Sequence, residues 1–162
     1  MHRVQAGTLD ADGWTVAAST AGHFSVKLPC LFNDFTSQEQ DPIAPVMTAY
    51  SVGCLRSDQR KFSATRVVYR RGAAAAEEFF ARIRSGKGWE TADSVTPLTF
   101  KSFDAVTIAD SNNSRCGFLR FILVNADIVA LTAEAPRVAC EGLKEQSETF
   151  FASVQLDAPD KQ

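Results

Sequence analysis

The sequence is poor in the residue types from which active sites are usually built. Its two histidines, His2 and His23, would have to anchor any Ser-His-acid triad or imidazole-ligated metal centre. Asp10 and Asp12 lie upstream of His23, but that spacing fixes no coordination geometry, so His23 reads as a turn histidine. No G-x-S-x-G nucleophile elbow occurs. Four cysteines show no C-x-x-C spacing, which disfavours a zinc knuckle or a thioredoxin-type pair. Cys30 stands seven positions from His23, but it follows a proline at a strand end and nothing near it supplies an oxyanion hole. Ser85-Gly86-Lys87-Gly88 lacks the Walker spacing and follows a helical stretch, where a phosphate loop would precede one. No catalytic residue, metal ligand or cofactor is therefore expected.

Charge of one sign is also lacking. Against 19 acidic groups stand 17 basic ones, a net charge of -2, without the basic stripe of a nucleic-acid binder. No run is long and apolar enough to span a bilayer. The start, Met1-His2-Arg3-Val4-Gln5-Ala6-Gly7, lacks the apolar segment of about 7 to 15 residues that an export signal needs. Two settings fit: the cytoplasm, or the periplasm or exterior if a signal has been removed. At 162 residues the chain suits one domain, able to bury roughly 70% of its unfolded surface without metal or disulfide support.

What is present is clearest between Phe103 and Glu134. Ala105 to Ala109, Cys116 to Val124 and Asp127 to Ala133 are apolar or β-branched. Asp110-Ser111-Asn112-Asn113-Ser114 and Asn125-Ala126-Asp127 separate them, short polar residues that bond their own main chain and tolerate left-handed backbone. This predicts an antiparallel meander. Its middle strand carries Phe118, Leu119, Phe121, Ile122, Leu123 and Val124, apolar on both faces, so it must be covered from both sides.

Around the meander, Trp14 to Ala18 reads as a short strand, and Phe24, Val26 and Leu28 alternate with Ser25 and Lys27 in a second. Asn33 to Gln40 reads as an extended edge, Asp41-Pro42 as a turn, and Val46 to Leu55 and Phe62 to Arg70 as further strands. Ala73 to Arg84 is helical, with glutamates early and arginines late, as the helix dipole prefers. Leu98 to Phe100 leads into the meander. A helix is expected from Pro136 to about Ala152, with Gly142 weakening it by about 1 kcal/mol. The expected fold is α+β: a single-domain α/β/α sandwich with a mostly antiparallel sheet and flanking helices. Residues 1–12 form a lead-in, 13–156 the domain and 157–162 a tail.

Register bears on the cysteines. A hairpin turning at Asn125 and Ala126 sets residue 116 across from about residue 135, bringing Cys116 near Cys140, and a turn near Pro42 and Ile43 sets Cys54 level with Phe32, close to Cys30. Disulfides need α-carbons roughly 5.5 Å apart. Four buried free thiols are the alternative.

Candidate contact residues are Arg66, Tyr69, Arg70 and Arg71, the densest cationic cluster, with Arg66 and Arg70 on one strand face. Arginine's planar fork suits carboxylate or phosphate, although basic residues also protect sheet edges. Trp89, in a Gly-flanked loop, is a further contact candidate or a lid on the core.

Gly22-His23-Phe24-Ser25-Val26-Lys27-Leu28-Pro29 and Phe150-Phe151-Ala152-Ser153-Val154-Gln155-Leu156 resemble the opening "G-x-F-S-V-x-x-P" and closing "F-L-x-S-F-x-L" segments of PsbP-like domains. That superfamily includes the photosystem II extrinsic protein P, Ran-binding Mog proteins and many bacterial envelope proteins. The resemblance implies a sandwich that binds proteins or ligands rather than one that catalyses. No acidic patch matches a Ran-binding surface, and no metal set matches the photosystem protein. The expected role is a non-enzymatic module engaging a protein partner or an anionic ligand. The alternative is a carrier holding a small hydrophobic molecule between sheet and helix; a hydrolase would require His23 to meet a nucleophile and an acid.

Overall fold

A computed structural model of the chain describes residues 9–39, 47–70 and 72–157. Ten strands and two helices follow in the order β1 (Thr15–Ser19), β2 (Phe24–Leu28), β3 (Asn33–Glu39), β4 (Met47–Leu55), β5 (Lys61–Tyr69), α1 (Ala73–Arg84), β6 (Ser94–Phe100), β7 (Phe103–Ser111), β8 (Arg115–Val124), β9 (Asp127–Pro136), α2 (Leu143–Ala152) and β10 (Gln155–Leu156). They form an α+β fold with two antiparallel sheets. The larger has the order β3-β4-β5-β9-β8-β7-β6, the smaller β1-β2-β10. The separate small sheet is an addition to the single sheet expected. The turn at Asp41-Pro42 and most of the lead-in and tail lie outside the described residues.

The meander forms as its turn chemistry dictates. Asn112 Oδ1 accepts hydrogen bonds from the backbone N–H of Ser114 (2.8 Å) and of Arg115 (2.9 Å), closing the first turn. Asn125 adopts φ 54° in the second. Cys116 pairs with Ala135 across the resulting hairpin. Because successive side chains alternate, β8 sends Cys116, Phe118, Ile122 and Val124 into one core, and Leu119, Phe121 and Leu123 into another.

The first core lies under α2 and the small sheet, with Phe24, Phe62, Phe150 and Phe151 fully buried. The second lies under α1, whose Ala76, Phe80 and Ile83 face Val106, Ile108 and Ile128. The sheet is thus covered on both sides, and Phe118 and Phe121 are half-buried rather than bare.

Two local expectations are corrected. The helix expected from Pro136 is a short 3-10 turn at Arg137–Ala139, and α2 starts only at Leu143 after Gly142 takes a left-handed φ of 77°. Gly142 is therefore a break, not a weak point. β6 extends back to Ser94 and pairs with β7 across Lys101-Ser102, both at positive φ. Such a turn normally calls for Asn or Gly, and Pro97 sits within the strand. A proline is tolerated there because β6 is the sheet's terminal strand.

Both disulfides close, Cys30–Cys54 with α-carbons 5.7 Å apart and Cys116–Cys140 at 6.1 Å. They staple the same end of the large sheet, one tying the β2–β3 link to β4, the other tying the segment before α2 to β8. Arg60 reinforces that end: its Nε donates to the carbonyl of Ala139 (2.9 Å), one terminal nitrogen to Gln146 Oε1 (2.8 Å) and the other to the carbonyl of Glu141.

Candidate functional site

On the α1 side, sheet and helix together assemble an aromatic row. Tyr69 ends β5 with its ring 6.4 Å from that of Phe79 on α1, and Phe79 lies 6.2 Å from Phe121 of β8. Trp89, in the loop after α1, shares with Phe79 and Phe121 an open cleft of about 240 Å³ that Ile83, Arg82 and Lys87 complete. Phe79 remains 37% exposed, a large apolar group at the helix edge that the core does not absorb. Burial raises the Tyr69 phenol above its ordinary pKa. Glu90 stays turned into its own loop, its Oε1 accepting from the Gly88 N–H at 3.0 Å. That bond and one from its own backbone N–H, with Lys87 nearby, hold its carboxyl below the usual range.

The expected cationic cluster is dispersed. Arg70 is exposed just beyond β5, Tyr69 belongs to the α1 face, and Arg71 lies outside the described residues. Arg66 projects from the opposite face and is only 4% exposed. Its Nε donates to Asp127 Oδ2 at 2.9 Å, and a terminal nitrogen donates to the carbonyls of Gly22 and His23, each at 3.3 Å. Arg66 thereby locks the β1–β2 turn of the small sheet onto the large one. The fit is close: a Cβ on Gly22 would stand 2.7 Å from Phe24 and 2.8 Å from Tyr50, which explains a glycine there. Arg66 and Arg70 therefore do not share an exposed surface.

A second arginine, Arg120, was not singled out from the sequence. It occupies the α2-facing side of β8, in a cross-strand row with Leu131 on β9, Thr107 on β7 and Thr96 on β6. Its guanidinium lies 5.0 Å from the centroid of the Phe151 ring and 5.6 Å from that of Phe100. Its Nε donates to Thr107 Oγ1 at 2.9 Å. It takes part in none of the ion pairs formed among the described residues. Burial lowers its pKa, while the charge of Glu148 opposes that shift. The signal in the sequence was an arginine at the centre of an otherwise apolar strand that must be covered on both sides.

Arg120 lies on an open groove of about 400 Å³ between α2 and strands β6 to β8, whose walls include Leu98, Phe118 and Phe151, with Lys144 and Glu148 at the rim. His23 and Cys30 form no reactive pair, since Cys30 is bonded to Cys54. Among the described residues no cluster of His, Cys, Asp or Glu could hold a metal, and no helix is long and apolar enough to cross a membrane.

No protein-family model matches the chain, and no curated protein does. Among solved structures it is similar to the cyanobacterial PsbP, CyanoP, of Synechocystis sp. PCC 6803, with 8% identity over 94% of this chain and 98% of that one and a TM-score of 0.47. It is similar to LpqN, described as involved in cell envelope biogenesis of Mycobacterium tuberculosis, with 12% identity over 94% of this chain and 82% of that one and a TM-score of 0.43. A protein of Bacteroides thetaiotaomicron VPI-5482 matches with 10% identity over 86% of this chain and a TM-score of 0.47; the chain spans 47% of that protein's length.

Proposed function

We propose that this protein is a non-enzymatic binding module whose α1 face engages a protein partner, with an apolar side chain of the partner against Phe79 and partner carboxylates on Arg82 and Lys87. The observation that carries the reading is the row Tyr69, Phe79 and Phe121, whose Phe79 and Phe121 line, with Trp89 and two cations, a cleft that has no carboxylate in its walls. Aromatic and arginine side chains are the types enriched at protein interfaces. The cleft's volume of about 240 Å³ falls below the ~300 to 1,000 Å³ of small-molecule pockets, which favours a protein surface over a free ligand. Arg70 stands exposed past the same strand end as Tyr69; Trp89 supplies a wall of the cleft.

The setting is an oxidising compartment, such as a bacterial envelope. Two disulfides support this, because cytosolic thiols are ordinarily kept reduced.

Affinity capture from an extract of cells that make the protein tests the contact face. Wild type should retain a partner that the double variant Phe79→Ala, Arg82→Glu binds at least about tenfold less well, as expected when a buried anchor and its charge partner are removed. Capture that is indifferent to both substitutions contradicts the reading.

A further inference from the structure

The groove on the opposite face carries a separate inference. Most arginines buried against a sheet are satisfied by a carboxylate, as Arg66 is by Asp127 at 2.9 Å. Arg120 is held by Thr107 Oγ1 at 2.9 Å and flanked by the rings of Phe100 and Phe151, yet no carboxylate among the described residues lies within ion-pair distance of it. The hydrogen bond and the rings orient its plane, which lowers the entropy lost when a ligand binds. A guanidinium fixed in this way matches the two oxygens of a carboxylate, donating two parallel N–H bonds.

The surroundings narrow the ligand. Leu98, Phe118 and Phe151 give the groove an apolar wall, and its volume of about 400 Å³ lies within the ~300 to 1,000 Å³ range of small-ligand sites. Lys144 adds a second positive charge, and Glu148 a single negative one. The balance favours one negative charge on the ligand and disfavours a second placed away from Arg120. We propose that the groove between α2 and strands β6 to β8 binds a small amphipathic monocarboxylate, its carboxylate on Arg120 and its apolar tail along Leu98, Phe118 and Phe151. This site does not depend on the α1 face, and either can fail without the other.

The test is a titration of the 15N-labelled full chain, followed by the backbone amide resonances, with octanoate, octanamide and suberate. Octanoate should give saturable shifts confined to β6, β7, β8 and α2. Octanamide, with the same tail and no charge, should bind at least about tenfold more weakly, the factor expected from losing a charge-assisted bidentate pair. Suberate, which adds a second carboxylate at the tail's end, should also bind more weakly than octanoate. Arg120→Gln should lower octanoate affinity by about tenfold or more. Equal binding of octanoate and octanamide, absence of saturable shifts, or shifts centred on α1 would overturn the proposal. The comparison of ligands on the unmodified chain requires no variant to fold.

Discussion

Arg66 and Arg120 stand on the same face of one sheet, in adjacent cross-strand rows: Arg66 beside Val129 and Ile122, Arg120 beside Leu131 and Thr107. Arg66 continues a row of buried apolar side chains, Val129, Ile122 and Ala105, whereas Arg120 stands between buried Leu131 and the polar Thr107 and Thr96. One is enclosed, with a carboxylate and two carbonyls as partners, and joins two sheets. The other has a hydroxyl and two rings and opens on a groove. A buried charge that has its counter-charge inside the molecule is part of the fold. One with no carboxylate in ion-pair range and only the charge of Glu148 nearby, at the edge of solvent, is open to a further partner. Removing a partner from a buried pair is costly because the remaining charge is left uncompensated, whereas a half-exposed arginine keeps some of its water.

The largest expected effect comes from breaking the enclosed pair. Asp127→Asn keeps the side chain's size but leaves Arg66 with neutral acceptors only, and should reduce stability by about 3 kcal/mol in urea unfolding. A loss below about 1 kcal/mol would show that the carbonyls of Gly22 and His23 suffice. Next is Gly22→Ala, whose added methyl would be pressed between Phe24 and Tyr50; overpacking of this kind costs about 1 to 3 kcal/mol. The measured value tells how rigidly the Arg66 corner is built. The smallest effect belongs to the open site. Thr107→Val removes the hydrogen bond that orients Arg120 and should change stability by no more than about 1 kcal/mol. In the octanoate titration the same variant should weaken binding severalfold, so a large stability loss with unchanged binding would reverse the roles assigned to the two arginines.

The two sites also differ in how much of them could be read from the chain. The meander was legible because each of its turns carries a local signal, and its register placed Cys116 opposite Ala135, hence near Cys140. Arg66 was misplaced because its partner, Asp127, lies 61 positions away on the neighbouring strand β9, and no local pattern reports that β5 and β9 pair. Alternation along β5 from Phe62 and Ala64 did point Arg66 toward the core, but a cation in that position reads as a surface residue until its counter-charge is known. Arg120 was hidden by its apolar neighbours. The rest of its groove depends on β6, masked by Pro97 and by a hairpin turn at Lys101-Ser102 that lacks the usual glycine or asparagine. In place of those residues, Lys101 is tied down by donating from Nζ to the carbonyl of Val154 at 2.5 Å, a contact that only the folded chain reveals. The α1 face was half legible: Tyr69 and Trp89 were singled out, while Phe79 and Phe121, which connect them, read as core.

The distinction between an internally neutralised arginine and an available one is tested most directly by urea unfolding of Arg66→Met beside Arg120→Met. Methionine preserves much of the apolar stem in both, so the difference reports the polar partners that each guanidinium leaves behind. Arg66→Met should lose about 3 kcal/mol, because Asp127, its side chain only 17% exposed, is left without its partner. Arg120→Met should stay within about 1 kcal/mol of wild type, since no buried counter-charge is stranded. Losses of equal size in the two variants would contradict the account.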